Sequence, residues 1–170
     1  MGQRQGLLTM YVDINILIVM SSENPVPFET TLKVRDCCLC LHVQRAARAL
    51  ARRFDEALRP VGLTNGQFSM LMSLNRPQPA TMASVTALLA MDRTTLTAAL
   101  KTLERRGLVL LMRDPGDRRS RLLSLSDEGR TVLAAAVPIW EQTHAEVEKR
   151  LGIGEIVDAA GLRKGLAALS

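Results

Sequence analysis

Three stretches of this 170-residue chain gather side chains able to do chemistry. RDCCLC, residues 35–40, holds Cys37, Cys38 and Cys40, the only three cysteines. Thiols so spaced can ligate a metal, sense oxidants, or pack as small apolar groups. DRTTLTAALK, residues 92–101, sets Arg93, Thr94, Thr95, Thr97 and Lys101 at helical spacing. RDPGDRRSR, residues 113–121, surrounds a Pro-Gly pair with Arg113, Asp117, Arg118, Arg119 and Arg121. Hydroxyls and cations of this kind suit phosphate oxygens and base edges. Residues 91–130 carry nine Lys or Arg against six Asp or Glu, so much of the chain's net charge of +5 sits there. A pI near 9.6 likewise suggests a polyanionic partner.

The elements that position these residues follow from periodicity. Leu39, Val43, Ala46, Leu50, Phe54 and Leu58 step by three or four, which predicts one helix over 36–59 with Asp36 as N-cap. Pro60 and Gly62 end it, and Thr64 caps a helix containing FSMLMSL. A short helix over 81–90 and an Asp92-capped helix over 93–107 come next. The latter turns Leu96, Leu100 and Leu103 inward and stops at Gly107. Residues 108–112 and 121–126 read as two strands of a hairpin, with Pro115-Gly116 placed for a type II turn. Ser126 caps a long helix to about Arg150, with Pro138 as the place for a kink, and a last helix spans 154–169.

The fold expected is therefore mainly α, a winged helix-turn-helix: helices plus a two-stranded β-wing, flanked by N- and C-terminal dimerisation helices. Residues 61–125 form the winged part within a single domain over 35–170; 35–60 and 126–170 supply the dimerisation helices. In such a fold the second helix of the pair enters the major groove and reads from its N-terminal half. Arginine on a wing can enter a narrow minor groove. Ala- and Leu-rich outer helices have little else to cover, so a homodimer buries them, and a two-fold dimer reads a pseudo-palindromic site. Enzyme chemistry has no support: the two His, His42 and His144, are far apart, and no Gly-rich phosphate loop exists. A protein-binding winged helix without DNA readout should lack both the basic wing and the Thr-rich face.

The run MASVTALLAMDRTTLTAALKTLERRGLVLLMRDPGDRRSRLLSLSDEGR, with DPGDRRSRLLSLSDEG its most specific part, resembles the core of the MarR family of transcriptional regulators. The similarity extends over roughly 36–152. The resemblance implies a helical dimer with two winged lobes, and TVLAAAVPIWEQTHAEVEKRLG resembles its long dimerisation helix. It also implies that Asp117 braces Arg119 for the minor groove, and that Arg93 to Thr97 begin the recognition helix. Members of the family typically leave DNA when a small, often aromatic effector binds. Candidate pocket residues are His42, Arg45, Phe68, Met72 and Trp140, each with core or interface packing as the plainer role.

Against that background the cysteines read as packing or as a redox sensor. Structural zinc wants four converging ligands, and one helical turn cannot bring Cys37, Cys38, Cys40 and His42 together; no metal and no cofactor is expected. A first-turn position for Cys37 and Cys38 would favour thiolate, helped by Arg35 and opposed by Asp36. Peroxide-sensing relatives carry a cysteine near the same place, though one rather than three. Three clustered thiols make no secreted disulfide framework, so a cytoplasmic setting is expected. The apolar run at 7–20 is interrupted by Asp13 and Asn15 and is too short to span a membrane. Residues 1–34 read as a loose extension, and Met10 and Met20 as alternative starts, leaving 1–19 without an assigned role.

Overall fold

The computed structural model describes residues 25–117, 120–152, 154 and 157–169. They fall into two compact units, Met1–Ala46 and Ala47–Ser170.

The first unit holds helix α1, Phe28–Cys37, and the opening turns of α2, Leu39–Leu58. Pro27 precedes α1, Glu29 lies in its first turn and Arg35 in its last, so both charges complement the helix dipole. Periodicity predicts one helix over 36–59; two are present. Cys38 leaves the helical region (φ −75°, ψ 105°), and its carbonyl accepts the amide of His42 to start α2. A one-residue break preserves the apolar spacing on its C-terminal side, so the pattern cannot register it. Asp36 is consequently not an N-cap; it lies in the last turn of α1. Helix α1 also crosses position 34, the expected end of the loose extension. Residues 1–24 lie outside the described residues.

The second unit continues α2, then a 3-10 turn (Arg59–Val61), α3 (Asn65–Leu74), β1 (Ala80–Thr81), α4 (Met82–Leu89) and α5 (Arg93–Arg105). Strands β2 (Val109–Arg113) and β3 (Arg121–Leu125), α6 (Asp127–Leu151) and α7 (Ala159–Ala167) follow. Thr64 forms a capping box with Gln67, Thr81 caps α4, Asp92 caps α5 and Ser126 caps α6. Helix α6 continues through Pro138 and ends on Gly152 in the left-handed region. The last helix is shorter than the 154–169 expected, starting only after its cap, Asp158. No helix among the described residues is long and apolar enough to cross a membrane.

The core joins the helical pair to the sheet. Leu96, Leu100 and Leu103 of α5 pack with Leu58, Leu71, Leu74, Val85, Leu123, Leu125 and Leu133, all buried. Each leucine so covered contributes about 1.5–3 kcal/mol relative to exposure. The sheet has three antiparallel strands in the order β1-β3-β2, against the two expected. Ala80 pairs with Leu123 and Thr81 with Leu122. Two residues are too few to show alternation, which is why β1 left no trace in the pattern. Between α4 and α5, Ala90 takes a left-handed conformation (φ 49°, ψ 41°) that costs a side-chain-bearing residue about 1–2 kcal/mol. The Ala90 and Met91 amides both donate to the Thr86 carbonyl and hold that turn.

One junction ties three elements together. The Ser126 hydroxyl donates to the Gly107 carbonyl at 2.5 Å and accepts from the Gly129 amide at 2.9 Å. The Ser126 amide donates to the Leu108 carbonyl at 3.2 Å. Gly129 is buried so closely against Leu108 that a Cβ would collide with its carbonyl oxygen. Since backbone on both sides must move to admit a methyl, Gly129→Ala should destabilise the fold by about 1–3 kcal/mol. Ser126→Ala should cost about 1 kcal/mol. Urea unfolding checks both, and a Gly129→Ala midpoint equal to wild type would show that the contact is slack.

Candidate nucleic-acid interface

The N-terminal half of α5 is held by its own side chains. Asp92 Oδ1 accepts the Thr95 amide at 2.8 Å, and Oδ2 accepts the Thr95 hydroxyl at 2.5 Å. The Thr95 hydroxyl, and next the Thr95 amide, hold the Asp92 carboxyl below the usual carboxylate range. The Thr97 hydroxyl donates back to the Arg93 carbonyl at 2.7 Å. Thr94 makes no side-chain hydrogen bond among the described residues. Arg93, Thr94, Thr97, Ala98 and Lys101 are all exposed on one side, opposite buried Leu96, Leu100 and Leu103.

Strand pairing then brings the wing to this helix. Arg113 pairs with Arg121 across β2 and β3, and both are exposed. Arg121 shares a cleft of about 530 Å³ with Arg93, Thr97 and Lys101 of α5. Met82, Leu100 and Leu111 form the apolar part of its lining, and Glu104 is its one carboxylate. Three cations against one anion make this a place for a polyanion. By sequence Arg121 belongs to the wing and Arg93 to the helix; only the β3 register makes them neighbours. Glu104 and Met82 were not singled out, since neither has a motif of its own.

The tip of the wing is closed by its backbone. Asp114 Oδ1 accepts the Gly116 amide at 2.8 Å, the Asp114 amide donates to the Ser120 carbonyl, and the Ser120 amide donates to the Asp117 carbonyl. Gly116 does not enter the left-handed region, so the expected type II turn is absent. An aspartate side chain organises this tip in its place. Arg118 and Arg119 lie outside the described residues, and with them the expected Asp117–Arg119 brace.

Of the five pocket candidates, Phe68, Met72 and Trp140 line one cavity of about 520 Å³ together with Leu88, Val137 and Glu141. Trp140 stacks on Phe68 at 6.1 Å and on His144 at 4.8 Å. His144, whose Nε2 lies 3.3 Å from Glu148, extends this ladder along α6; one helical turn beyond Trp140 was the signal for it. His42 and Arg45 belong to the other unit.

Cys37 and Cys38 do not occupy a first turn as expected. Cys37 is the last residue of α1 and Cys38 its C-cap, where the dipole opposes a thiolate; Cys40 is the second residue of α2. Cys37 and Cys40 are exposed, and the Gln44 amide lies 3.1 Å from Cys40 Sγ. Arg35 is spent on Asp36, whose carboxyl it holds low through contacts of 2.6 and 2.8 Å. Among the described residues no three His, Cys, Asp or Glu side chains converge as metal ligands would.

A capped helix pair leading into a three-stranded wing, with cations shared between second helix and wing, defines a winged helix-turn-helix. The profile of the MarR family matches residues 63–120. The M. tuberculosis transcriptional regulator MosR, solved in complex with DNA, is 39% identical, with 78% of this chain and 92% of that one covered at a TM-score of 0.69. The organic hydroperoxide resistance transcriptional regulator of Bacillus subtilis is 30% identical over 59% of this chain and 69% of its own length. The transcriptional repressor NicR of Pseudomonas putida is 34% identical over 56% of this chain, a match that spans 60% of NicR. The chain belongs to the MarR family of winged helix-turn-helix transcriptional regulators.

Asp92 gives a pH signature. A carboxylate held low in the folded state stabilises it above the ordinary carboxylate pKa, and that stability is lost as the pH falls through its folded value. Asp92→Ala should therefore lower the melting temperature at pH 7, with the gap closing as the pH drops below about 4. A gap unchanged down to pH 2 would rule out the carboxylate as its source.

Proposed function

We propose that this chain is a cytoplasmic, homodimeric repressor that binds a pseudo-palindromic site on double-stranded DNA. Helix α5 enters the major groove, with Arg93, Thr94, Thr95 and Thr97 at its reading end and Lys101 on a phosphate. The wing, with Arg113, Asp117, Arg118, Arg119 and Arg121, follows the adjoining backbone and minor groove. The observation that carries this reading is the cleft in which Arg93, Lys101 and Arg121 face the same space. MosR in complex with DNA, 39% identical, supports it. Residues 61–125 act as the reading module. Residues 35–60 and 126–170 act as the dimerisation helices, in keeping with the exposure of Leu39, Leu50, Leu162 and Leu166. The relatives are transcriptional regulators rather than enzymes. A small aromatic effector fits the cavity bounded by Phe68, Met72 and Trp140, where the stacked Phe68–Trp140–His144 ladder offers flat apolar surface.

Phosphate contacts release counterions, so affinity for the intergenic DNA upstream of the gene should fall steeply between 50 and 200 mM salt, roughly in keeping with the number of contacts. Arg93→Ala with Arg121→Ala should weaken binding and flatten the slope by about one unit for each lost phosphate contact. Fluorescence anisotropy across a salt series measures this, and an affinity indifferent to salt would refute the assignment of the face.

A second reading is thiol-based control, favoured by the exposed Cys40 and the Gln44 amide beside its sulfur. Attack of the Cys40 thiolate on an organic hydroperoxide breaks the O–O bond. It leaves a cysteine sulfenic acid, and the peroxide departs as its alcohol after taking up a proton. Cys37 and Cys38 then supply resolving thiols. Cumene hydroperoxide should release the DNA from wild type and not from a Cys37/Cys38/Cys40→Ser protein; unchanged binding of wild type after peroxide ends this reading.

A further inference from the structure

The three threonines in the N-terminal half of α5, Thr94, Thr95 and Thr97, are alike in type and not in structure. Resting on the DNA-binding reading above, we infer that this face recognises thymine by its 5-methyl group, with Thr97 and Ala98 as the apolar contacts and Thr94 as the hydroxyl left to read a base edge. Thr95 is a positioning residue, and its part is played through Asp92.

The hydrogen bonds separate these roles. Thr95 gives its hydroxyl proton to Asp92 Oδ2 and its amide to Oδ1, so its side chain is committed to the helix cap. Thr97 gives its only hydroxyl proton to the Arg93 carbonyl one turn back, at 2.7 Å. A threonine bonded back in this way has its oxygen turned onto the helix backbone and its χ1 fixed. What an exposed residue then offers to the outside is its methyl. Ala98, next along the exposed face, offers a second methyl and nothing else. Thr97 also borders the cleft, where Leu100 and Leu111 supply apolar lining between the charged Arg93, Lys101, Glu104 and Arg121. Arg93 and Lys101 stand at either end of this methyl pair, one turn before and one turn after Thr97, and are both exposed.

In the major groove the 5-methyl of thymine is the one apolar group that distinguishes a base pair, and threonine methyl and alanine are natural contacts for it. A face with two adjacent methyls between two cations therefore reads thymine flanked by phosphates or guanine. With Thr94 free to donate or accept, one polar position lies beside the apolar ones. A recognition helix whose three hydroxyls were all available would instead tolerate any base with an acceptor.

Selection of duplexes from a randomised DNA pool by the full-length chain supplies the probe. The selected half-site should contain thymine, and replacing its thymines with deoxyuridine, which lacks only the methyl, should weaken binding about fourfold for each contacted methyl. Thr97→Val, which keeps the methyl and drops the hydroxyl, should retain the preference for thymine over deoxyuridine. Thr97→Ser, which keeps the hydroxyl and drops the methyl, should reduce it. Equal affinity of the wild type for thymine and deoxyuridine duplexes, or a preference kept by Thr97→Ser and lost by Thr97→Val, overturns this inference while leaving DNA binding in place. Failure to enrich any duplex overturns the DNA-binding reading, and this inference with it. Thr95→Val should act differently from both: it should lower the melting temperature and weaken all duplexes alike, because it loosens the cap rather than a base contact.

Discussion

The contact between Gly129 and the Leu108 carbonyl, with Ser126 bonded to Gly107, Leu108 and Gly129, is the constraint on which the rest of the molecule depends. At this point helix α5 has ended, the wing begins and returns, and the long helix α6 starts. All three are fixed to one another by backbone groups, where side chains have little room to adjust. A hydroxyl that both donates and accepts, next to a residue without a side chain, is the chemistry that allows this approach. Without it, α5 and β3 could each form, but the cleft shared by Arg93 and Arg121 would have no fixed width.

A second tie is made at the same C-terminal end of α5. The Gln67 side chain completes the capping box of α3 and also accepts from Arg106 at 3.2 Å, just beyond the end of α5. The Asn65 amide donates to Asp55 at 2.7 Å, joining α2 to the same corner. Helix α3 carries Phe68 and Met72 on the cavity, so the element that borders the proposed effector space also holds the C-terminal end of α5. A ligand that prefers one tilt of α3 over another would thereby shift α5, provided it binds the two arrangements unequally. Surface ion pairs such as Arg53–Glu146, at 2.6 Å, add about 0–1 kcal/mol and serve more to register the helices than to stabilise them.

The winged helix-turn-helix was legible because its signals are local and repeated. Leu96, Leu100 and Leu103 recur at helical spacing, Asp92 and Ser126 are short polar residues in front of such runs, and Gly107 and Gly152 stand at helix ends. Where a single residue changes the path, the local pattern carries no trace of it. Cys38 breaks a helix without changing the spacing of its apolar side chains. Ala80 and Thr81 form a strand only because β3 lies beside them. Gly116 follows proline, yet the Asp114 carboxylate takes its amide and draws the tip into another turn. For the cysteines the helix break is decisive, since it moves Cys37 from the favourable to the unfavourable end of a dipole.

What the sequence determined by itself is the set of elements and the chemical character of the reading face. Periodicity, caps and net charge are properties of residues near one another in the chain, and they point to DNA without coordinates. The tertiary structure decided which of those residues act together. The β3 register placed Arg121 beside Arg93 and Lys101, the stacking of α3 on α6 brought Phe68 to Trp140, and hydrogen bonds within α5 separated Thr94 from Thr95 and Thr97. The physical reason is that a hydroxyl or a cation is defined by its partners. Those partners are chosen in three dimensions, after the chain's own pattern has already been satisfied.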